Sequence, residues 1–505
     1  MGSNMRPPRR AEDDAVDIRA LVERHPIGGL ILFNGHWPET RQTLTTLQAA
    51  ASQPLLVMTD MERGLGQQAP GATLFPHQRA FGETGDEELV EQFGRAAARE
   101  ALACGVHVAL GPVVDVNRNP QNPIVSTRAF GEDTATVVRL ATAFIRGARA
   151  EGLLTTAKHF PGHGNTAEDS HAMLPTVHDS REEIEREDLP PFRAAFDAGA
   201  ELVMTAHVAY SNLDASGVPA TLSRGIMTDL LRKELGFEGV VISDSLQMEG
   251  VKEKGQTEAR LAVRQIAAGV DLLLDPHDPE AIIEGVAEAV ASGELPEERL
   301  DEALRRVQRL RHQLTERFSA QLWSDPAAAV PPGEVASREH LAIARRAARL
   351  AIRVEGDDPA AAVAGGEGLL AVMLRSHTSP LDPPEQALGA ALREALPGTD
   401  FRELGPDATE DALQVVREAA GRARAVLLAV VVKPAAWHAF GLPGPLATLA
   451  RDIAEGRQPG ERPLIAAALG DPRGLETVPG ASVRIVTFSD TPVSQQALAA
   501  VLAGD

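Results

Sequence analysis

Seven short apolar runs, separated by amphipathic helical patterns, constrain the fold of this chain more than any other feature. Each run has the length of a strand and ends in polar residues. The runs cover residues 28–35, 55–62, 106–117, 155–160, 202–207, 239–245 and 270–276. One intervening helix is clear, because Ser223 suits an N-cap and Gly236 can adopt the left-handed conformation after its last turn. This alternation of strands and helices predicts a parallel sheet.

The polar residues that end these runs favour a barrel over an open sheet. A doubly wound open sheet would explain the alternation equally well. However, Asp60, Asn117, Lys158, His207 and Asp244 end five different runs. A barrel brings all of its strand ends to one mouth, whereas an open sheet gathers only those near its switch point. We therefore expect an α/β fold, a (β/α)₈-like TIM barrel with seven strands evident and one missing, displaced or lost with the N-terminus.

The length of 505 residues predicts a second domain. We expect a catalytic barrel over residues 1–325, a Pro- and Ala-rich linker over 326–336 and a smaller α/β sandwich over 337–505. The sandwich strands are expected at residues 368–375, 425–433, 464–470 and 482–490.

Composition excludes several classes of protein. The net charge is −22, and no basic patch is interleaved with aromatic residues, so nucleic acid is not an expected partner. The single cysteine, Cys104, excludes an intramolecular disulfide framework and a cysteine-based zinc site. The sequence contains no run of 18 apolar residues, so we expect no transmembrane helix. The first residues contain no apolar segment of the kind a signal peptide needs, and we expect a cytoplasmic protein.

The segment KHFPGHGNTAEDSH, residues 158–171, concentrates the candidate chemistry at the end of one predicted strand. Asp169 and His171 are two residues apart, so in an extended conformation they point to the same side and can form a proton-transfer dyad. Residues 161–173 contain small residues with few expected buried contacts, which predicts a mobile loop. A metal site is the alternative, although Lys158 would repel a dication. Its ligands would come from His159, His163, His171, His207, Asp169 and Asp244.

The same segment, followed by Leu174–Pro175, resembles the signature of the bacterial β-N-acetylglucosaminidases of glycoside hydrolase family 3. Other motifs occur in the order that such proteins have. They are GGLILF, the strand that ends at Asp60, STRAFGED with Arg128, MTAH, and LLRKELGFEGVVISDSLQMEG. The resemblance covers about residues 26–310, and the second domain resembles the α/β sandwich of two-domain members.

The resemblance implies a soluble, retaining exo-β-N-acetylglucosaminidase that needs no cofactor or metal and that acts in peptidoglycan recycling. Asp244 would be the nucleophile, and His171, oriented by Asp169, would be the general acid and base. Relatives that act on glucosides take their acid from a glutamate elsewhere, so the Asp-Ser-His loop favours an N-acetylglucosamine substrate. The implied sugar-binding residues are Asp60, Arg128, Lys158, His159, His207 and Met248.

One segment departs from the family pattern. Many relatives have Asp-x-Glu-Gly-Gly-Arg-Val-x-Arg after the second strand, and the last arginine contacts substrate, whereas this chain has DMERGLGQQ. Gln68 occupies the position of that arginine, and Arg63 replaces a glycine. We expect either that Arg63 reaches the substrate from another direction or that the outer subsite differs.

Four alternative functions remain open at this point. The same family pattern would also fit a β-glucosidase or an N-acetylglucosaminide phosphorylase. A phosphorylase fits because a protonated histidine acid, unlike a carboxylate, does not repel the incoming phosphate. A metal-dependent barrel hydrolase would need the metal site described above. A catalytically silent sugar-binding protein would normally have lost Asp244 or His171, and both are present.

Overall fold

The computed structural model describes residues 10–170, 173–252, 255–325, 329–363, 366–378, 385–434, 440–457 and 462–505. The chain divides into two compact units. The first comprises Met1–Leu74, Asp86–Val125 and Ala129–Leu341, and the second comprises Phe75–Gly85, Ser126–Arg128 and Ala342–Asp505. Two short segments from the region of the predicted barrel therefore group with the second unit.

All seven strands that the sequence predicts in the first unit are present, together with two short strands that it does not predict. They are β1 (Gly29–Ile31), β2 (Leu56–Asp60), β3 (Val108–Leu110), β4 (Leu154–Phe160), β5 (Thr176–Val177), β6 (Leu202–Thr205), β7 (Ala209–Tyr210), β8 (Val240–Ser245) and β9 (Leu272–Leu274). Among the described residues, seven of them form one parallel sheet in the order β1-β2-β3-β4-β6-β8-β9, which nearly closes into a barrel. The two-residue strands β5 and β7 pair separately. The prediction of a TIM barrel with seven evident strands is confirmed.

Helices precede, connect and follow the barrel strands. They are α1 (Ala11–Arg24), α2 (Glu39–Ala50), α3 (Gln78–Thr84), α4 (Glu87–Cys104), α5 (Thr134–Glu151), α6 (Arg181–Glu187), α7 (Leu189–Ala198), α8 (Glu258–Ala268), α9 (Pro279–Ala291) and α10 (Glu297–Phe318). Asp86 caps α4 and Asp133 caps α5 through backbone N–H groups of their first turns. Gly152 ends α5 with a φ of 97°, which glycine adopts without a steric penalty.

The helix predicted after Ser223 is present but is of the π type, over Gly225–Glu234. The Ser223 hydroxyl accepts a hydrogen bond from the Ile226 N–H at 3.1 Å, and Gly236 has a φ of 69°. Ser223 therefore caps the start of this helix, and Gly236 follows its end in the left-handed conformation, as the sequence predicts.

The barrel core contains side chains from the parallel strands together with one face of α10. Leu56, Leu154 and Ile242 belong to the same buried cluster as Leu310 and Leu314 of α10. Because this apolar packing fixes the strands, the residues at their carboxyl ends project from a rigid frame. Across the described part of the chain, no helix is long and apolar enough to cross a membrane.

The second unit contains one mixed sheet with helices on both faces. Its strands are β10 (Arg353–Gly356), β11 (Leu369–Arg375), β12 (Asp400–Leu404), β13 (Ala425–Val432), β14 (Leu464–Gly470) and β15 (Val483–Val486), in the order β10-β15-β14-β13-β11-β12. Its helices are α11 (Arg338–Ala351), α12 (Pro359–Val363), α13 (Ala387–Ala395), α14 (Glu410–Arg422), α15 (Gly444–Glu455) and α16 (Pro492–Ala503).

Side chains of β11 alternate between the two faces of this sheet. Leu370 packs in the cluster that contains Leu413 of α14, whereas Leu369 packs in the cluster that contains Leu388 of α13. The predicted α/β sandwich is confirmed.

Candidate active site

A buried lysine connects the ends of β4 and β2. The Lys158 ammonium lies 2.8 Å from the Asp60 carboxylate and 2.8 Å from the Glu62 carboxylate. Only 2% of the Lys158 side chain is exposed, so its charge is compensated by these two carboxylates. The three groups therefore hold one another at the carboxyl end of the sheet, and Asp60 is oriented by a charge-assisted hydrogen bond.

A second buried carboxylate holds the residues that follow Lys158. Asp115 accepts hydrogen bonds from the His159 N–H at 3.1 Å, the His159 ring Nδ1 at 2.7 Å and the His163 N–H at 2.7 Å. Because Asp115 accepts at Nδ1, the ring of His159 has its tautomer and its orientation fixed, with Nε2 on the opposite side.

Burial and hydrogen bonding act in opposite directions on the Asp115 carboxyl. Burial alone would raise its pKa, but the facing His159 ring and the His163 backbone hold the pKa of Asp115 below its ordinary value. The carboxylate is therefore the stable form at neutral pH. It anchors the segment from His159 to His163 as an acceptor of several hydrogen bonds.

The first part of the loop after β4 is extensively hydrogen-bonded. The His163 ring contacts the Thr166 hydroxyl at 2.8 Å and the Ser170 hydroxyl at 2.9 Å, and the Tyr210 hydroxyl donates to the Gly162 carbonyl at 2.5 Å. The expectation of few buried contacts is therefore wrong for residues 161–166, because side chains from other loops bind their backbone. Asp169 is half-buried, and its carbonyl accepts from the Met173 N–H at 3.1 Å. His171 lies outside the described residues.

An ion-pair cluster lies beneath this loop. Arg118 contacts Asp179 and Asp188, each at 2.6 Å, and Asn165 donates to Asp179 at 2.8 Å. Burial raises the pKa of Asp188 to about 7, and the attraction of Arg118 limits the rise. The cluster links the loop after β3, the loop after β4 and the start of α7.

Asp244 lies at the end of β8, where the sequence places it. One of its carboxylate oxygens, Oδ1, accepts a hydrogen bond from the Ser245 N–H at 2.8 Å. The preceding residues of β8, from Val240 to Ser243, are buried, whereas Asp244 is half-buried. The carboxylate is therefore held on a rigid strand and remains partly accessible.

His207 is fully buried and contacts this strand end. Its Nε2 lies 3.1 Å from the Ser245 carbonyl oxygen, and its Nδ1 lies 2.8 Å from the Thr221 hydroxyl. A carbonyl only accepts, so Nε2 carries a proton and donates. Both ring nitrogens of His207 are thus bound to protein groups, Nε2 to Ser245 and Nδ1 to Thr221.

The remaining sequence-predicted residues occupy several different places. Met248 is buried just after β8. Arg63 is half-buried, and its backbone N–H donates to the Gln67 side chain at 3.0 Å. Gln68 ends the short 3₁₀ turn that follows Gly64. Arg128 groups with the second unit, whereas the other candidates belong to the first.

Sequence reasoning missed the carboxylates that orient the lysine and the histidines. Glu62 and Asp115 are both buried although they are acidic. The available signal for Asp115 was a lone carboxylate in the apolar run VVDVN, because a charge in such a run needs a partner. Glu62 follows Asp60 by two residues, a spacing that places both side chains on the same side of an extended chain. Among the described residues, no cluster of three histidine, cysteine or acidic side chains could hold a metal ion.

Comparison with known proteins adds a family assignment to this geometry. The model of the glycosyl hydrolase family 3 N-terminal domain matches residues 5–310. The chain is 34% identical over 331 residues to beta-hexosaminidase A of Pseudoalteromonas piscicida, with 59% of this chain and 55% of that protein covered. It is 37% identical over 276 residues to a beta-hexosaminidase of Vibrio cholerae, with 54% of this chain and 81% of that protein covered. The chain thus spans little more than half the length of the Pseudoalteromonas relative.

A solved structure resembles both units. A family 3 beta-N-acetylglucosaminidase from a Paenibacillus species superposes with a TM-score of 0.87 and 30% sequence identity. The similarity covers 99% of this chain and 94% of that protein. The likeness extends beyond the 5–310 segment that the family model matches.

Proposed function

Because this chain belongs to glycosyl hydrolase family 3, we propose that it is a retaining exo-β-N-acetylglucosaminidase that removes terminal β-linked N-acetylglucosamine. The observation that carries the proposal is that the two proposed catalytic groups follow two strands of the same parallel sheet. Asp244 is held at the end of β8, and the Asp169-Ser170-His171 sequence follows the end of β4. The names of the Paenibacillus and Vibrio proteins support the same substrate class.

The reaction has two steps, and Asp244 forms and loses a bond in them. In the first, an oxygen of Asp244 attacks the anomeric carbon while the bond to the leaving oxygen breaks and His171 protonates that oxygen. In the second, His171 takes a proton from water, the water oxygen attacks the same carbon, and the ester bond to Asp244 breaks. The configuration is retained because the carbon is inverted twice.

The half-buried Asp60 and the buried Lys158 and His159 would bind sugar hydroxyls. Lys158 and Asp60 already orient each other at 2.8 Å, and Asp115 fixes the His159 ring at 2.7 Å. Such preorganised polar groups bind a sugar without having to be ordered first. His207, whose ring nitrogens contact Thr221 and Ser245, would support the strand end that carries Asp244.

The test compares sugars and acceptors. We expect the protein to hydrolyse p-nitrophenyl N-acetyl-β-glucosaminide much faster than the matching glucoside, with no rate increase when phosphate is added. Preference for the glucoside would support a β-glucosidase, and release of a sugar 1-phosphate would support a phosphorylase. Hydrolysis of cell-wall fragments beside chitin oligosaccharides would then decide whether peptidoglycan recycling is the role.

A further inference from the structure

Ser245 is the point where three elements meet around the proposed nucleophile. Its N–H donates to the Asp244 carboxylate at 2.8 Å, and its carbonyl accepts from the His207 ring at 3.1 Å. Its hydroxyl donates to the Asp275 carboxylate at 2.8 Å. Every polar group of this residue is therefore bound, and the peptide that orients Asp244 is held from both sides.

Asp275 reaches this position from the neighbouring strand. It directly follows β9, which pairs with β8 so that Leu274 lies opposite Ser245. The Leu246 N–H donates to the Leu274 carbonyl at 3.0 Å, and the Gln247 side chain donates to the Asp275 carbonyl at 3.3 Å. These bonds tie the β8 and β9 ends together immediately after Asp244.

The backbone of Asp275 is left-handed, with a φ of 54°. This conformation is disfavoured for residues other than glycine, and it persists where surrounding contacts determine it. An exposed turn with no other task would accept glycine or asparagine here. The carboxylate that is present is half-buried and makes the specific contact with the Ser245 hydroxyl.

We propose that Asp275 is a positioning residue that, through the Ser245 hydroxyl, fixes the orientation of the Asp244 carboxylate for attack on the anomeric carbon. The inference rests on the proposed function, because it assigns Asp244 the nucleophilic role. Attack requires a near-linear approach of one carboxylate oxygen, and misplacement by about 1 Å can cost roughly 100-fold in rate. Asp275 does not need to touch the sugar to have this effect.

A double-mutant cycle on kcat tests the proposal. Asp275→Ala and Ser245→Ala should each lower kcat for the N-acetylglucosaminide about 10–100-fold, with KM and the melting temperature little changed. The double variant should be no slower than either single variant, because both remove the same contact. Asp275→Asn should recover most of kcat, since its amide oxygen can still accept from Ser245.

Glu249→Gln is the matched control, because Glu249 is exposed on the same loop and pairs with Lys252 at 2.7 Å. It should leave kcat unchanged. The proposal is overturned if Asp275→Ala retains wild-type kcat, if only KM changes, or if the two single losses multiply in the double variant. Asp244→Asn separates the two ideas: activity in that variant rejects the proposed function, whereas an inactive Asp244→Asn beside an unaffected Asp275→Ala rejects only the role of Asp275.

Discussion

The Asp115 carboxylate lies 2.7 Å from the ring Nδ1 of His159, and both groups are buried. The same carboxylate accepts the His163 N–H at 2.7 Å, so one side chain from the segment after β3 anchors the beginning of the loop after β4. The loop that leads to the predicted acid is therefore attached to the barrel at a defined point.

Replacing Asp115 by asparagine should destabilise the protein by roughly 3–5 kcal/mol, because the buried partners lose a charged acceptor. The pKa of Asp115 is lowered from 3.8 in the folded state, so the carboxylate contributes stability above pH 3.8. That contribution is lost as the pH falls through the lowered pKa. Urea unfolding at several pH values should show that the difference in free energy of unfolding between wild type and variant becomes smaller below about pH 3.8. A difference that stays constant with pH would contradict the stabilising role of the Asp115 carboxylate.

Asp244→Asn should abolish turnover while the melting temperature changes by less than about 2 °C. An amide cannot form the glycosyl ester, and the change is nearly isosteric. Thermal melts and rates with p-nitrophenyl N-acetyl-β-glucosaminide provide the check. A rate near that of the wild type would remove Asp244 from the nucleophile role.

His171→Ala should slow poor leaving groups more than good ones. A sugar alkoxide needs protonation worth roughly 10²–10⁴-fold in rate, whereas a nitrophenolate leaves with little help. Asp169→Ala should show a milder form of the same pattern, because it removes the orienting carboxylate and retains the acid. Rates on chitobiose and on a nitrophenyl glycoside decide the question. Equal losses on both substrates would mean that His171 only binds the sugar.

Chelation should leave activity unchanged, because the proposed mechanism assigns proton transfer to His171 and bond formation to Asp244. Rates are measured before and after dialysis against EDTA, followed by addition of single divalent metals. Loss of activity that one metal restores would favour the metal-dependent hydrolase.

Amide exchange should divide the loop after β4 into two parts. The His163 N–H donates to the buried Asp115 carboxylate at 2.7 Å, and side chains bind the neighbouring Gly162 and Thr166, so residues 162–166 should already be protected in the free protein. The exposed residues Ala167 and Glu168 should exchange quickly in the free protein and gain protection when N-acetylglucosamine binds, as a closing lid would. Full protection of both parts without ligand would mean a preformed site and no lid.

The sequence by itself determined where the strands lie along the chain and which residues lie near their ends. Hydrophobic runs and helix signals are local, which is why Asp60 and Asp244 lie at strand ends as the sequence predicts. Lys158 lies two residues before the end of β4. The sequence also indicated the family, because the motifs of this chain have the residue types and the spacing of glycosyl hydrolase family 3.

Only the tertiary structure decided which partners these side chains have. These partners are far apart in the sequence. The separation is 98 residues for Lys158 and Asp60, 44 residues for Asp115 and His159, and 30 residues for Asp275 and Ser245. No local pattern encodes such pairs, because they depend on which parallel strands are neighbours and on their register. The lone buried carboxylate at Asp115 signalled that a partner must exist, since an unpaired buried charge is costly. The identity of that partner follows from β3 and β4 lying side by side in the barrel.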